Sequence, residues 1–170
     1  MPIFTATLKY QQAGSFDFGY IDYSKFTGDI AYTPVNPYDG NNPGQWEFYA
    51  SDAATGIGIT AIADTGTALI YVDQGIVNNY YQGIQTGSYG GMITVPCGES
   101  LPDFSLVIGG EVRTAWGYLL NYSPADNNGN CYSGIQSSGG GLNIIGDAFL
   151  KSQFVVFDGA TPQIGFAQQA

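Results

Sequence analysis

The chain has 170 residues, which suits one domain that buries about two-thirds of its unfolded surface. Its 14 acidic and 4 basic side chains give a formal net charge of -10, which argues against a nucleic acid or an anionic membrane as a partner. It contains no histidine, and this excludes the histidine-based hydrolytic triads and most zinc hydrolase sites.

The residue types favour a fold built from strands. The chain has 25 Gly, 13 Tyr and 10 Phe, and only 11% of its residues are charged, a composition typical of a β-rich fold with many turns. In chain order, alternating or β-branched runs predict the first strands at 4–10, 16–20, 30–35 and 46–49. The run 36–44 is rich in Pro, Gly and Asn, and it predicts a loop.

The stretch 61–72 holds a single carboxylate between two apolar runs. Its flanks predict a strand, a sharp loop and a second strand, with Asp64 at the tip of the loop. Gly66 lets the backbone turn back and approach a ligand closely, because it has no Cβ. The hydroxyls of Thr65 and Thr67 can hydrogen-bond the carboxylate or nearby backbone and so orient it. The alternative is a plain β-turn, in which Asp64 only accepts hydrogen bonds from its own backbone amides.

A helix is predicted next, capped by Asp73 and ended by Gly83. Its apolar stripe is interpreted as a packing surface. The strands that follow are predicted at 92–97, 104–108, 111–115, 153–157 and 163–167, and a Gly-Gly turn makes the second and third of these a hairpin.

Three short segments lie between these strands. Residues 123–130 predict a polar loop. The glycine run 139–141 is not a phosphate loop, because no Walker-type lysine follows, and it is interpreted as a close backbone approach beside the strands that flank Asp64. Residues 147–150 predict a helical turn.

The only cysteines, Cys97 and Cys131, could form one disulfide in an oxidising compartment or remain two buried thiols. In the chain-entropy model, closing a loop of roughly 35 residues is worth about 4 kcal/mol. Asn121-Tyr122-Ser123 is a glycosylation sequon that Pro124 behind it weakens. The sequence contains no run of ~20 apolar residues, the length needed to span a membrane. No signal peptide is expected at its start, where Met1-Pro2 resembles an added start on a fragment.

The motif around Asp64 resembles the active-site signature of the pepsin-like aspartic proteases, in the form found in their C-terminal lobe. The similarity continues in the family's order at 20–22, 26–28, 45–48, 131–136 and 144–150. The fungal, penicillopepsin-like branch is the most similar. The resemblance implies a mostly β fold, a single lobe of the pepsin-like acid protease fold with bent or closed sheets and one or two short helices.

Proteases of this family are bilobal, and each lobe brings one such aspartate to a shared cleft. This sequence contains one Asp-Thr-Gly and no second copy. The resemblance therefore implies that residues 1–22 correspond to the last strands of the N-terminal lobe and the sheet between the lobes, and that residues 23–170 form the C-terminal catalytic lobe. An unpaired edge of that sheet would invite another chain.

The resemblance assigns to Asp64 the role of one catalytic carboxylate in a pair that shares a proton, activates a water and directs it at a peptide carbonyl. When a second lobe is present, the resemblance implies that Thr65 supplies a buried hydroxyl that locks the two loops together. Gly66 and Thr67 are expected to contact the carboxylate and the substrate backbone.

Further positions match the family's pattern. Residues 143–146 resemble the element that crosses beside the aspartate loop, so a small residue is expected at Gly146, because a side chain there would push into the turn that holds Asp64. Tyr71 and Ile144 correspond to positions near the substrate pockets, with an ordinary core role as the alternative for each. Ala68 stands where the fungal pattern usually has Thr or Ser, which removes a hydroxyl near the substrate. Cys97 and Cys131 match the disulfide of the family's C-terminal lobe.

The implied function is that of the C-terminal half of a secreted acid aspartic endopeptidase, incomplete as an isolated chain and without a cofactor or metal. Its partners would be a peptide or protein substrate and the N-terminal lobe of the same protease. Two alternatives are a homodimer in which two Asp64 loops meet, as in single-lobe retroviral proteases, and a non-catalytic lobe that holds peptides. Secretion is inferred from the cysteine pair and the family.

Overall fold

The structure is a computed structural model that describes residues 2–36 and 45–170. Most of the loop predicted at 36–44, and the first residue, lie outside the described residues. Across the described ranges the chain forms two short α-helices, α1 (Gln74–Tyr80) and α2 (Asp147–Leu150), a 3-10 turn at Gly117–Leu119, and sixteen strands. The strands are β1 (Ile3–Thr7), β2 (Ser15–Phe18), β3 (Phe26–Pro34), β4 (Glu47–Asp52), β5 (Gly58–Ala63), β6 (Ile70–Val72), β7 (Gly87–Tyr89), β8 (Met92–Pro96), β9 (Phe104–Ile108), β10 (Glu111–Ala115), β11 (Asn121–Pro124), β12 (Asn130–Ser133), β13 (Ile135–Ser137), β14 (Asn143–Ile145), β15 (Gln153–Asp158) and β16 (Gln163–Gln169).

These strands form three sheets. Sheet A has the order β2-β1-β15-β16-β3, sheet B has the order β10-β9-β4-β5-β14-β6-β13, and sheet C has the order β11-β12-β8-β7. Sheet A consists of two hairpins, β1-β2 and β15-β16, joined through an antiparallel pairing of β1 with β15, and β3 covers the outer edge of β16. The predicted mostly β fold is therefore confirmed.

The main core lies between sheets A and B. Phe48 of β4, Phe149 of α2 and Phe166 of β16 are fully buried, and the ring centroids of Phe48 and Phe166 are 5.2 Å apart. Because these rings come from both sheets and a helix, the core fixes the two sheets relative to each other.

The predicted helix begins as expected. The Asp73 carboxylate accepts a hydrogen bond from the backbone N–H of Gly75 at 2.7 Å, which caps α1. The helix ends at Tyr80, three residues before Gly83. Its stripe is a packing surface: Tyr81 is largely buried and donates a hydrogen bond to the carbonyl of Ile135 at 2.6 Å, and burial raises the pKa of its phenol to about 12.

In the second half of the chain one expectation is wrong and another holds in part. The glycine run 139–141 makes no close approach at Gly139 and Gly140, where an added Cβ would meet no atom within 4 Å. Their φ angles are +62° and +80°, so the two glycines form a turn in a backbone conformation that residues with a side chain rarely adopt. The predicted loop at 123–130 is present at 125–129, but its first two residues belong to β11 and its last residue begins β12.

Sheet C carries the disulfide. Cys97, just after β8, is bonded to Cys131 of β12, which confirms the predicted bridge. None of the helices in the described ranges is long and apolar enough to cross a membrane.

Candidate active site

The loop that carries Asp64 is held by a strand from the far end of the chain. β14 lies between β5 and β6, parallel to the first and antiparallel to the second, so that Ile145 pairs with both Ala63 and Ile70. The backbone N–H of Asp64 donates to the carbonyl of Ile145 at 3.1 Å. The strands at the two ends of the loop, β5 and β6, therefore both pair with β14. Because they share this partner, the two ends of the loop cannot move apart independently.

Both carboxylate oxygens of Asp64 are hydrogen-bonded within the loop. Oδ1 accepts from the backbone N–H of Gly66 at 2.8 Å, and Oδ2 accepts from the Thr67 hydroxyl at 2.6 Å. The bond from Gly66 belongs to the plain β-turn interpretation, but the bond from Thr67 does not. Because a different donor holds each oxygen, the carboxylate is fixed in one orientation while its side chain stays partly exposed.

Gly146, the residue between β14 and α2, packs directly against the backbone of the loop. A Cβ at this position would lie 2.3 Å from the carbonyl oxygens of both Thr67 and Leu69, distances that real Cβ atoms essentially never show. Its φ of -95° is open to any residue, so the requirement for glycine is one of space. The expectation that a side chain here would push into the loop is confirmed.

The first residues of α2 complete the support of the loop. The backbone N–H of Asp147 donates to the carbonyl of Thr67 at 2.8 Å, and that of Ala148 donates to the carbonyl of Ala68 at 2.9 Å. These carbonyls belong to the residues three and four positions after Asp64. The start of α2 therefore anchors the side of the loop that β14 leaves free.

Sequence reasoning missed the side chain of Asp147. Burial raises the pKa of this carboxyl, the charge of Lys151 opposes the shift, and the charge of Asp64 adds to it. The Lys151 ammonium is 3.9 Å from one carboxylate oxygen, and the other oxygen is buried without a hydrogen-bond partner among the described residues. The sequence did contain a signal for this carboxyl, because Asp147 directly follows Gly146, a residue that was expected to lie against the Asp64 loop.

The remaining predicted site residues divide into two groups. Tyr71 and Ile144 are directly opposite each other on the antiparallel strands β6 and β14, and each is partly buried. Directly paired residues share one face of a sheet, so the two side chains lie side by side next to the loop. Thr65 is exposed in this chain, so its own residues do not bury the hydroxyl that is expected to lock two loops together when a second lobe is present.

The arrangement offers one oriented carboxylate beside a small, partly apolar strip. No group of three or more His, Cys, Asp or Glu side chains that could hold a metal occurs in the part of the chain that the structure describes. A carboxylate held by neutral donors can accept a proton from a water molecule or a hydrogen bond from a ligand.

Comparisons with known proteins identify the family of this chain. The family model described as eukaryotic aspartyl protease matches residues 1–169. The chain is similar to aspergillopepsin-1 of Aspergillus clavatus, with 49% identity over 99% of this chain and 45% of the relative. It is similar to penicillopepsin-1 of Penicillium janthinellum, with 46% identity over 99% of this chain and 54% of the relative.

A solved structure supports the fold. The crystal structure of an aspartic proteinase from Irpex lacteus matches 99% of this chain and 56% of its own, with a TM-score of 0.80 and 21% identity. At this identity the likeness carries the fold alone, and it confirms the predicted pepsin-like lobe. The chain spans about half the length of the curated relatives it matches.

Proposed function

This chain belongs to the eukaryotic aspartyl protease family, and from that premise we propose that it is the C-terminal lobe of a secreted acid endopeptidase. Asp64 supplies one of the two carboxylates that hydrolyse the peptide bond. Residues 23–170 form the lobe proper, and residues 1–22 are the end of the other lobe and its link to the shared sheet. The observation that carries the proposal is the Asp64 carboxylate, with both oxygens oriented by Gly66 and Thr67.

The proposed chemistry needs a second carboxylate. Two carboxylates a few ångströms apart cannot both ionise cheaply, so they share one proton. The ionised member takes a proton from a bound water, which attacks the peptide carbonyl, and the protonated member donates a hydrogen bond to the carbonyl oxygen. Asp64 fills one of these roles, and a lone carboxylate cannot fill both.

Other residues take supporting roles in the proposal. Thr67 and Gly66 hold the Asp64 carboxylate. Thr65 is exposed here, and a second lobe that met this loop would cover it. Tyr71 and Ile144 form one wall of the peptide site, since they lie side by side next to the loop.

The free edge of sheet A supports a missing second half. Its two end strands are β2 and β3, and among the described residues no strand of the sheet pairs with the outer edge of either. Phe16 and Phe18 of β2 are 48% and 73% exposed. An uncovered strand with exposed aromatic rings is a surface that pairs with another chain. We take the N-terminal lobe as its partner.

The same edge permits a second candidate function, a homodimer in which two copies bring two Asp64 carboxylates together. The two candidates are distinguished by peptide cleavage at about pH 3 to 5, measured for the 170-residue chain over a range of concentrations. The N-terminal half of a curated relative is then added as a separate chain, with and without the transition-state analogue pepstatin.

For the proposed lobe, we expect no cleavage by the chain alone and cleavage after the other half is added. That activity should disappear in Asp64→Asn and persist in Asp29→Asn, a matched change at an exposed position of β3. Activity of the chain alone that rises more than linearly with concentration would instead favour the homodimer. If neither preparation cleaves although the two halves are shown to associate, the endopeptidase proposal is wrong and a peptide-holding lobe remains.

A further inference from the structure

The side-chain amide of Asn121 closes the loop beside the disulfide. Its Nδ2 is 3.1 Å from the carbonyl oxygen of Pro96, 3.0 Å from that of Cys97 and 3.2 Å from that of Glu99. An asparagine amide carries two hydrogens, so three acceptors around this nitrogen leave neither of them free. The donor capacity of Asn121 is therefore fully used by the turn that follows β8.

Asn121 is also the acceptor residue of the one Asn-X-Ser/Thr sequon in the sequence, 121–123. From the geometry we propose that Asn121 is a positioning residue for the Cys97–Cys131 disulfide, and that the folded chain excludes a glycan at this sequon. Folding and glycosylation at Asn121 are then mutually exclusive.

The steric argument concerns the nitrogen itself. A glycan is attached to Nδ2 in place of one of its two hydrogens, and three carbonyl oxygens lie within 3.2 Å of this nitrogen. A carbon bonded to this nitrogen would lie about 1.5 Å from it and therefore within roughly 2 Å of one of these oxygens. This is far inside van der Waals contact, so the turn and the glycan cannot occupy the same place.

The positioning argument follows from where the acceptors lie. Cys97 leaves β8, and its backbone N–H donates to the carbonyl of Gly129 at 2.8 Å, just before β12, the strand that carries Cys131. Asn121 belongs to β11 on the other side of β12. Its amide reaches past β12 and binds the carbonyls on both sides of Cys97 as well as that of Cys97 itself. This bond set holds the turn at the position where the two sulfurs meet.

The sequon can be removed with or without the amide. Ser123→Ala destroys the sequon and leaves the Asn121 amide in place. Asn121→Asp also destroys the sequon and keeps the shape of the side chain. It replaces the amide donor by a carboxylate that faces three carbonyl oxygens, and no hydrogen bond forms between groups that are all acceptors.

The first measurement uses the 170-residue chain exported with an added leader from a glycosylating yeast. Intact mass before and after deglycosylation reports the glycan, and thiol labelling reports the disulfide. A control variant, Gln11→Asn with Ala13→Thr, carries a new sequon in an exposed turn. Residue 11 has a φ of +52°, a conformation that Asn accepts. Glycosylation of this variant shows that the host can modify the chain. Pro124→Ala improves the natural sequon and raises the fraction of chains modified before folding.

We expect the disulfide-closed wild-type chain to carry no glycan at Asn121, and any glycosylated Pro124→Ala molecules to have free thiols. A disulfide-closed molecule with a glycan at Asn121 would overturn the exclusion.

The second measurement is oxidative refolding of the chain produced in bacteria, where no glycan forms. The disulfide should close in Ser123→Ala at a rate within twofold of wild type and in Asn121→Asp at least tenfold more slowly or to a tenfold lower yield. Equal closure in Asn121→Asp and Ser123→Ala would show that Asn121 does not position the disulfide.

Discussion

Replacing Gly146 by alanine should destabilise the protein more than its single methyl group suggests. The new Cβ would lie 2.3 Å from two backbone oxygens, those of Thr67 and Leu69. Neither oxygen can rotate away as a side chain would, because Thr67 O accepts from Asp147 and the segment after Leu69 is paired with β14. Relief therefore requires that β14 and the Asp64 loop separate.

The size of the effect follows from the two contacts. Overpacking a well-packed site costs about 1–3 kcal/mol, and weakening one or two of the hydrogen bonds between α2 and the loop adds about 1 kcal/mol for each. We therefore expect the free energy of unfolding to fall by about 3 kcal/mol, a factor of roughly 150 in the equilibrium constant. With an m-value of about 2 kcal/mol/M, the urea midpoint should fall by about 1.5 M.

The assay is equilibrium urea unfolding followed by tryptophan fluorescence, with Gly98→Ala as the matched control. Gly98 has no atom within 4 Å of an added Cβ and no positive φ, so its midpoint should move by less than about 0.3 M, the equivalent of a change within ±0.5 kcal/mol. If Gly146→Ala unfolds within 0.3 M of wild type, as Gly98→Ala does, the inference that this contact holds the loop is refuted.

Three further predictions concern stability. Replacing both Cys97 and Cys131 by Ser should lower the free energy of unfolding by about 2–5 kcal/mol relative to wild type with the disulfide closed. Urea unfolding measures this loss, reduced wild type should behave like the double variant, and a loss below about 1 kcal/mol would contradict the prediction. The only Arg of the chain, Arg113, donates to the carbonyls of Phe166 and Asp29, so Arg113→Lys should lose about 1–2 kcal/mol where Lys9→Gln, an exposed control, loses almost nothing. Burial raises the pKa of Asp147 in the folded state, so its favourable contribution is complete below the unfolded value of about 3.8 and is lost as pH rises through the folded value. Asp147→Asn should therefore gain stability relative to wild type as pH rises above about 3.8, and a stability difference between the two proteins that does not change with pH would contradict the assigned direction of the pKa shift.

The sequence predicted the elements whose causes are local. Asp73 caps α1 with its own side chain, and the Gly109-Gly110 hairpin follows from a turn type that two residues determine. β7 was not predicted, because all three of its residues are exposed and it has neither an apolar face nor an alternating pattern. Its pairing with β8 becomes visible only in the structure.

The candidate site was predictable where its parts lie close together in the sequence. Asp64, Gly66 and Thr67 are within three positions of one another, and the hydrogen bonds between them were foreseen as a possibility. The burial of Asp147 was not predictable, because it depends on the packing of α2 against a loop about 80 positions earlier. The exposure of Thr65 likewise depends on what else meets the loop, and nothing in the local pattern determines that.

The Asp64 loop is held by residues of this chain, and this determines what the chain can do alone. The orientation of the Asp64 carboxylate depends on donors within the chain, and the loop is anchored by β14 and α2, which also belong to it. A missing lobe would therefore deprive the site of its second carboxylate without disturbing the first. On this argument the isolated chain should be inactive and yet ready for assembly, so that added partner restores cleavage in proportion to the complex formed, with no slow refolding of the Asp64 loop. A lag in activity that persists after the two halves have associated would show that the loop is not preorganised.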